Sequence, residues 1–287
     1  MQNQENKNFK DKLLQFRQDI DLIDDQILDL LIKRADIVKG VKILKEENND
    51  KFFVKSAREA DMIRELIKKS DNKIPDELIL NIWRKIISFS NYFEQKINIA
   101  LHNPEKNPNF ERILRSYYND SMPIVELDNS ATIFKDLEAG KFQIAYFALP
   151  KENNDQYNKW WINLANNQSG IRVFVKIPLF KNGFEYELVG IAIKDDEKSN
   201  QDRSLLVIEQ SKDFTTSTLQ ESISSVFKNH KIVKSCEFEH NKNDRFFLVE
   251  INEFIDNNSE KIDLLQKTKS KPFVRMIGVY PALFDAS

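Results

Sequence analysis

FKDKLLQFRQDIDLIDDQILDLLIKRADIVKGVKILKEE, residues 9–47, holds no proline and a single glycine, Gly40. Leu13, Phe16, Ile20, Ile23, Ile27, Leu30, Ile37, Val41 and Leu44 recur along it at steps of three, four and seven. That spacing predicts one amphipathic helix, because residues three and four apart share a face. At 1.5 Å per residue it would run roughly 58 Å, more than a small domain can cover with its own side chains. A helix of that length implies a partner chain.

The elements on either side of this stretch are also helical. Residues 1–8 are polar and are expected to form a disordered N-terminus. Ser56-Ala-Arg-Glu59 reads as a capping box that opens a second helix, reaching about Ser70. Pro75, followed by Asp76 and Glu77, starts a third helix. That helix carries Leu78, Ile82, Ile86, Phe89 and Phe93 and runs to about Lys96. Residues 9–96 therefore form a three-helix domain.

The apolar period changes after residue 96. Short extended segments alternate with helical ones over residues 97–202, which reads as a small α/β region. Residues 194–202 are a charged linker or loop. Residues 203–287 follow the order β-α-β-β-α-β, a ferredoxin-like split pattern. The fold class is thus α followed by α/β, in three domains: 9–96, 97–202 and 203–287.

Composition excludes several function classes. A net charge of −2 over 287 residues argues against general nucleic-acid binding. The single cysteine, Cys236, allows neither an internal disulfide framework nor a cysteine-based zinc site. His102, His230 and His240 are far apart in sequence, so no metal is expected. No run of apolar residues approaches membrane-spanning length, and the N-terminus lacks the apolar core of a secretory signal. The expected location is the cytoplasm.

The charged residues of the first hundred positions carry the chemistry. Arg34 and Lys45 are eleven residues apart, close to three whole turns, and share a face. Arg17 precedes Arg34 by seventeen residues, roughly 100° around the same helix. One straight helix cannot easily aim all three into one pocket. An antiparallel partner helix could, with Arg17 of one chain reaching the Arg34 and Lys45 of the other.

These positions resemble the all-helical chorismate mutase family. The resemblance rests on Leu13-Leu-Gln-Phe-Arg17, Ile20-Asp-Leu-Ile-Asp24, Ile27 to Arg34, Val41 to Lys45, Arg58-Glu59, and Ile86 to Gln95. It covers about residues 9–96, and the motifs agree in order and spacing. It implies an intertwined all-α homodimer that converts chorismate to prephenate without cofactor, metal or nucleophile. The reaction needs a flexible dicarboxylate held in a compact chair, with charge on its ether oxygen stabilised as the C–O bond breaks. The resemblance assigns the two carboxylates to Arg34 and the partner's Arg17. It adds Arg58 beside the enolpyruvyl side, Lys45 on a carboxylate and the ether oxygen, Glu59 on the hydroxyl and Ser90 on a ring carboxylate.

Glu94 departs from the family pattern, which commonly has glutamine there to donate to the ether oxygen. An ionised carboxylate has no proton to donate, so Glu94 would serve only when protonated. Gln95 stands next to it but off the face shared by Ser90 and Glu94. Taken singly, each arginine reads as a solvated helix residue, Glu59 as part of a helix cap, and Ser90 as a packing serine.

Fused mutases of this type often continue into a prephenate dehydratase domain and a regulatory ACT domain. Residues 97–202 resemble the former weakly, through Ile97–Leu101, Ser130–Leu137 and Ala145–Asn154. His102-Asn-Pro-Glu-Lys stands where a Gly-Pro-x-Gly-Thr loop is expected, and no Thr-Arg-Phe occurs. Residues 203–287 are ACT-like but lack the Gly-Ala-Leu and Glu-Ser-Arg-Pro motifs that bind phenylalanine. The expectation is a chorismate mutase with a degenerate extension. The alternatives are a bifunctional mutase/dehydratase and a non-catalytic regulatory or assembly protein on the same scaffold.

Overall fold

A computed structural model describes residues 2–48, 54–150, 159–180, 183–237, 244–256, 258–282 and 284. The chain forms two compact units, Met1–Phe53 with Phe93–Gln95, and Val54–Tyr92 with Lys96–Ser287.

The first unit is essentially one helix, α1 (Gln2–Glu47). It starts earlier than the apolar pattern, since residues 2–8 hold neither proline nor glycine and carry the helix on as a polar turn. At 46 residues it is roughly 70 Å long. Its apolar stripe is exposed: Phe16, Ile20, Ile23, Ile27, Leu30 and Ile37 each keep half or more of their surface.

In the second unit, α2 (Ser56–Ser70) buries Ala57, Ala60 and Ile63, a face of three-residue steps. The expected capping box does not form. Lys55 is the N-cap and makes no side-chain cap bond. Ser56 is already helical, and its hydroxyl donates to the Phe174 carbonyl at 2.8 Å. The Glu59 side chain is also spent elsewhere, on α3 (Asp76–Glu94).

α3 has two apolar faces. Leu78, Ile82, Phe89 and Phe93, which dominate the sequence pattern, are exposed. The buried face is Ile79, Leu80, Arg84, Ile87, Ser88 and Asn91. Lys85 Nζ donates to the carbonyls of Arg115 and Tyr118 at 2.7 and 2.6 Å, and Ser88 Oγ accepts from the Asn119 amide at 2.9 Å. Arg64 of α2 reaches the Ala282 carbonyl at 3.1 Å. Residues 54–92 are thus bonded to the remainder of this unit.

That remainder is a single nine-stranded sheet. Its strands are β1 (Ile99–His102), β2 (Ile124–Leu127), β3 (Ile144–Ala148), β4 (Ile171–Ile177), β5 (Leu188–Ile193), β6 (Asp202–Ser211), β7 (His230–Glu237), β8 (Asp244–Ile251) and β9 (Phe273–Pro281). The spatial order is β2-β1-β3-β5-β4-β9-β6-β8-β7. β1 pairs in parallel with β2 and β3, through the crossover helices α4 (Pro108–Tyr117) and α5 (Ser130–Glu138). Asn107 and Asn129 cap these two helices with their side chains, and Pro108 follows Asn107 at the first turn. β5 runs antiparallel to both β3 and β4.

A short helix, α6 (Trp160–Ala165), has no periodic signal in sequence because it is six residues long. It buries Trp160 and Trp161 in a core that also contains Phe147, Val173, Val207 and Ile277. Residues 202–281 follow β-α-β-β-α-β, with α7 (Thr216–Val226) and α8 (Glu260–Gln266), and their strands pair antiparallel throughout. Leu205 and Val207 face the Trp160 core, while Leu206 and Ile208 face α7 and α8. This is the strict alternation of a strand buried on both faces.

β4 and β9 join the two portions of the sheet through one parallel pair, Val173 with Gly278. Gly278 has φ 154, and a Cβ there would lie 2.2 Å from the Val173 carbonyl oxygen. Close by, Lys176 Nζ of β4 lies 2.8 Å from Glu250 Oε2 of β8. Tyr280 of β9 also donates to Glu250, and Arg203 of β6 donates to its other oxygen at 3.2 Å. Burial pushes the Glu250 carboxyl up, but Lys176, Tyr280 and Arg203 outweigh it and hold the group below its ordinary value of 4.5.

Two outcomes follow for stability. Gly278→Ala should cost about 3 kcal/mol or more in urea unfolding of the full chain, because the clash is with backbone and cannot be relieved by a rotamer change. A cost under about 1 kcal/mol would mean that the seam opens freely. A depressed Glu250 favours the folded state above the unfolded carboxylate range, a contribution lost as pH falls through the folded value. Glu250→Gln, which leaves Lys176 to the more distant and more exposed Glu187 at 3.5 Å, should cost about 2 kcal/mol at pH 7. Its deficit against the parent protein should shrink steadily below about pH 4.5, and a deficit constant with pH would refute the ionic contribution.

Candidate functional site

Of the residues singled out in the sequence, Lys45 and Glu94 form one charged cluster, in the first unit, and Glu59 belongs to another, in the second. In the first unit, Lys45 stands in the last turn of α1 and Glu94 ends α3. Lys45 Nζ donates to Glu94 Oε2 at 2.7 Å, with the two side chains 20% and 8% exposed. The pair is therefore shielded enough for its attraction to exceed that of a surface ion pair. Arg34 lies half-buried eleven residues before Lys45 on α1, and Arg17 is exposed.

The second cluster centres on Glu59, which is buried. Arg84 Nη1 donates to its Oε2 at 2.7 Å, and Asn91 Nδ2 donates to its Oε1 at 2.8 Å. Both carboxylate oxygens are thereby engaged. The Arg84 guanidinium also covers the Tyr117 ring, 3.7 Å from its centroid. Burial opposes the Arg84 charge, but Tyr117 and Glu59 outweigh it and raise its pKa. Burial pushes the phenols of Tyr117 and Tyr118 up, so they stay neutral. Tyr118 and Tyr146 share a hydrogen bond of 2.8 Å between their hydroxyls.

Ser90 Oγ donates to the Ile86 carbonyl at 2.8 Å, one helical turn back. Arg58 is exposed on α2. The structure thus joins Lys45 with Glu94 directly. It fixes Glu59 through two residues that the spacing argument passed over, Arg84 and Asn91. A signal for Arg84 exists in the sequence: Arg84 and Lys85 stand among Leu80, Ile82, Trp83, Ile86 and Ile87, and whichever of the two falls on the buried face must be paired.

Among the described residues no group of three or more His, Cys, Asp or Glu is placed to hold a metal ion. No described helix is long and apolar enough to cross a membrane.

The N-terminal helices are similar to a known family. Residues 16–95 match the family described as chorismate mutase type II. The bifunctional chorismate mutase/prephenate dehydratase of Pseudomonas aeruginosa is 24% identical over 153 residues, covering 51% of this chain and 40% of that protein. The protein of the same description from Aquifex aeolicus is 26% identical over 147 residues, covering 50% and 40%. The match therefore spans about 40% of the length of these relatives. A solved structure described as GqqA, a novel type of quorum quenching acylase, superposes with a TM-score of 0.50 at 12% identity, covering 66% of this chain and 96% of that one. At that identity the likeness concerns the fold alone.

Proposed function

We propose that this protein is a chorismate mutase, acting on chorismate through the residues of its type II mutase region and yielding prephenate. The observation that carries the reading is the Lys45–Glu94 contact, inside the matched segment, between the two side chains that the resemblance assigns to the breaking ether bond. Arg34 and the partner's Arg17 take the substrate carboxylates, each guanidinium offering a bidentate edge. Ser90 turns its hydroxyl from the Ile86 carbonyl to donate to a ring carboxylate, Arg58 adds positive potential, and Glu59 accepts from the substrate hydroxyl. The electrostatics are preorganised: Glu59 is already held by Arg84 and Asn91, and no covalent intermediate is required.

The same reading makes the protein a homodimer. The exposed apolar stripe of α1 supports it, since a patch of that length is rarely left to water. We assign residues 97–202 to a degenerate dehydratase-like region, residues 203–287 to an ACT-like assembly domain, and the protein to the cytoplasm. The description of the relatives favours a second reading, in which prephenate is also dehydrated. The missing Thr-Arg-Phe and Gly-Pro-x-Gly-Thr sequences weigh against it.

Incubation with chorismate, following both its loss and the appearance of phenylpyruvate, separates the readings. Loss without phenylpyruvate is expected. Phenylpyruvate would establish the bifunctional enzyme, and no loss between pH 5 and 8 would leave a non-catalytic scaffold. Sites shared between chains predict complementation. Arg17→Ala and Lys45→Ala should each be nearly inactive alone. Mixed and reassociated, they should recover about a quarter of parental activity, because half the dimers are mixed and each holds one intact site. Failure to recover would place Arg17 outside the site.

Glu94 accepts from Lys45 and so competes with the substrate for that ammonium, whereas a glutamine there frees it and can itself donate. Glu94→Gln should therefore raise the turnover rate, and an unchanged or lower rate would remove Glu94 from the chemistry.

A further inference from the structure

The side chains that hold Glu59 reach beyond the segment matched to the mutase family, residues 16–95. Its two carboxylate oxygens accept from Arg84 and Asn91 of α3. Arg84 is itself held from α4. Its guanidinium lies 3.7 Å from the centroid of the Tyr117 ring and also hydrogen-bonds with that residue. A guanidinium stacked on an aromatic face away from water is fixed in plane as well as in position. Tyr117 meets Tyr118 edge to face, their centroids 4.9 Å apart, and the Tyr118 hydroxyl shares its bond with Tyr146 of β3. Tyr146 fits because position 190 of β5 is glycine, where a Cβ would lie 2.9 Å from the tyrosine ring. Arg84, Tyr117, Tyr118 and Tyr146 are all buried, so Glu59 is braced against the sheet by side chains with little room to move.

The backbone that carries Glu59 is anchored from the same direction. Ser56, three residues earlier on α2, donates its hydroxyl to the Phe174 carbonyl of β4 at 2.8 Å. All of these residues belong to the second unit. A free glutamate loses rotamer freedom when it meets a substrate, and here that loss is met in folding. Each carboxylate oxygen has two lone pairs, so the bonds from Arg84 and Asn91 leave room for a hydroxyl.

We infer that Arg84 and Tyr117 are positioning residues of the mutase site, which hold Glu59 for the substrate hydroxyl, so that the sheet unit helps to set specificity for a hydroxylated substrate. The inference rests on the mutase reading and on the part given there to Glu59.

Chorismate and its analogue without the ring hydroxyl, each assayed with the full chain for loss of the compound, test it. The parent should prefer chorismate in kcat/KM by about tenfold or more, the worth of a hydrogen bond to a charged acceptor. Tyr117→Leu removes the ring beneath Arg84, and Arg84→Gln removes the charge. Each should reduce the preference by about threefold or more. Tyr117→Phe keeps the ring and should hold the preference within about twofold of the parent. A partly unfolded sample loses rate on both compounds alike, so the ratio reports the site and not stability. If Arg84→Gln does not fold, Tyr117→Leu carries the test from α4. No loss of chorismate with the parent removes the mutase reading and this inference together. Turnover by the parent with an unchanged preference in Tyr117→Leu or in Arg84→Gln overturns the inference alone. So does a parent that acts equally on the two compounds, since Glu59 would then not meet the hydroxyl.

Discussion

The sheet depends on the approach of two backbones where Val173 meets Gly278. On one side stand strands ordered by parallel crossovers, and on the other a β-α-β-β-α-β arrangement. A single residue pair joins β4 to β9, and only a residue without Cβ can occupy position 278. The polar group of Lys176, Glu250, Tyr280 and Arg203 holds the same seam with charge where the ladder is thin. The Trp160 and Trp161 side chains then close one continuous apolar core over both portions. Burying a lysine and a glutamate is tolerable only because each finds its partner within hydrogen-bond reach.

Where local sequence dictates local structure, the fold was legible. The end of α2 and the strand-helix alternation after residue 96 follow from apolar period and Pro75. What sequence could not give depended on tertiary demands. The hydroxyl of Ser56 and the carboxylate of Glu59 satisfy a capping box on paper, yet both are drawn to partners distant in the chain, Phe174 and Arg84. The buried face of α3 is the less apolar one, because it is paid for by paired polar groups in place of hydrocarbon. α6 is too short to show a period, and its two tryptophans say only that something must cover them.

The candidate site shows a related division. Family resemblance singles out the charged residues of α1, α2 and α3, and helix phase separates Arg17 from Arg34 and Lys45. Neither could reveal that Lys45 is engaged by Glu94 and that Glu59 is clamped by Arg84 and Asn91. Both contacts place opposite charges at hydrogen-bond distance before any ligand arrives. A dianion entering such a site competes with an internal carboxylate for the same ammonium, so its affinity reflects a difference between two ion pairs.

The bonds from Arg64, Lys85 and Ser88 to carbonyls and amides of the sheet unit carry a consequence for dissection of the chain. A fragment ending at residue 96 would retain every residue of the family match and still strip the buried side of α3 of its cover. Ile79, Leu80 and Ile87 would meet water, and Arg84 would lose the aromatic ring beneath it. The extension, whatever ligands it does or does not hold, is in this sense the missing wall of the helices it follows, and the gene could not shed it without resurfacing them.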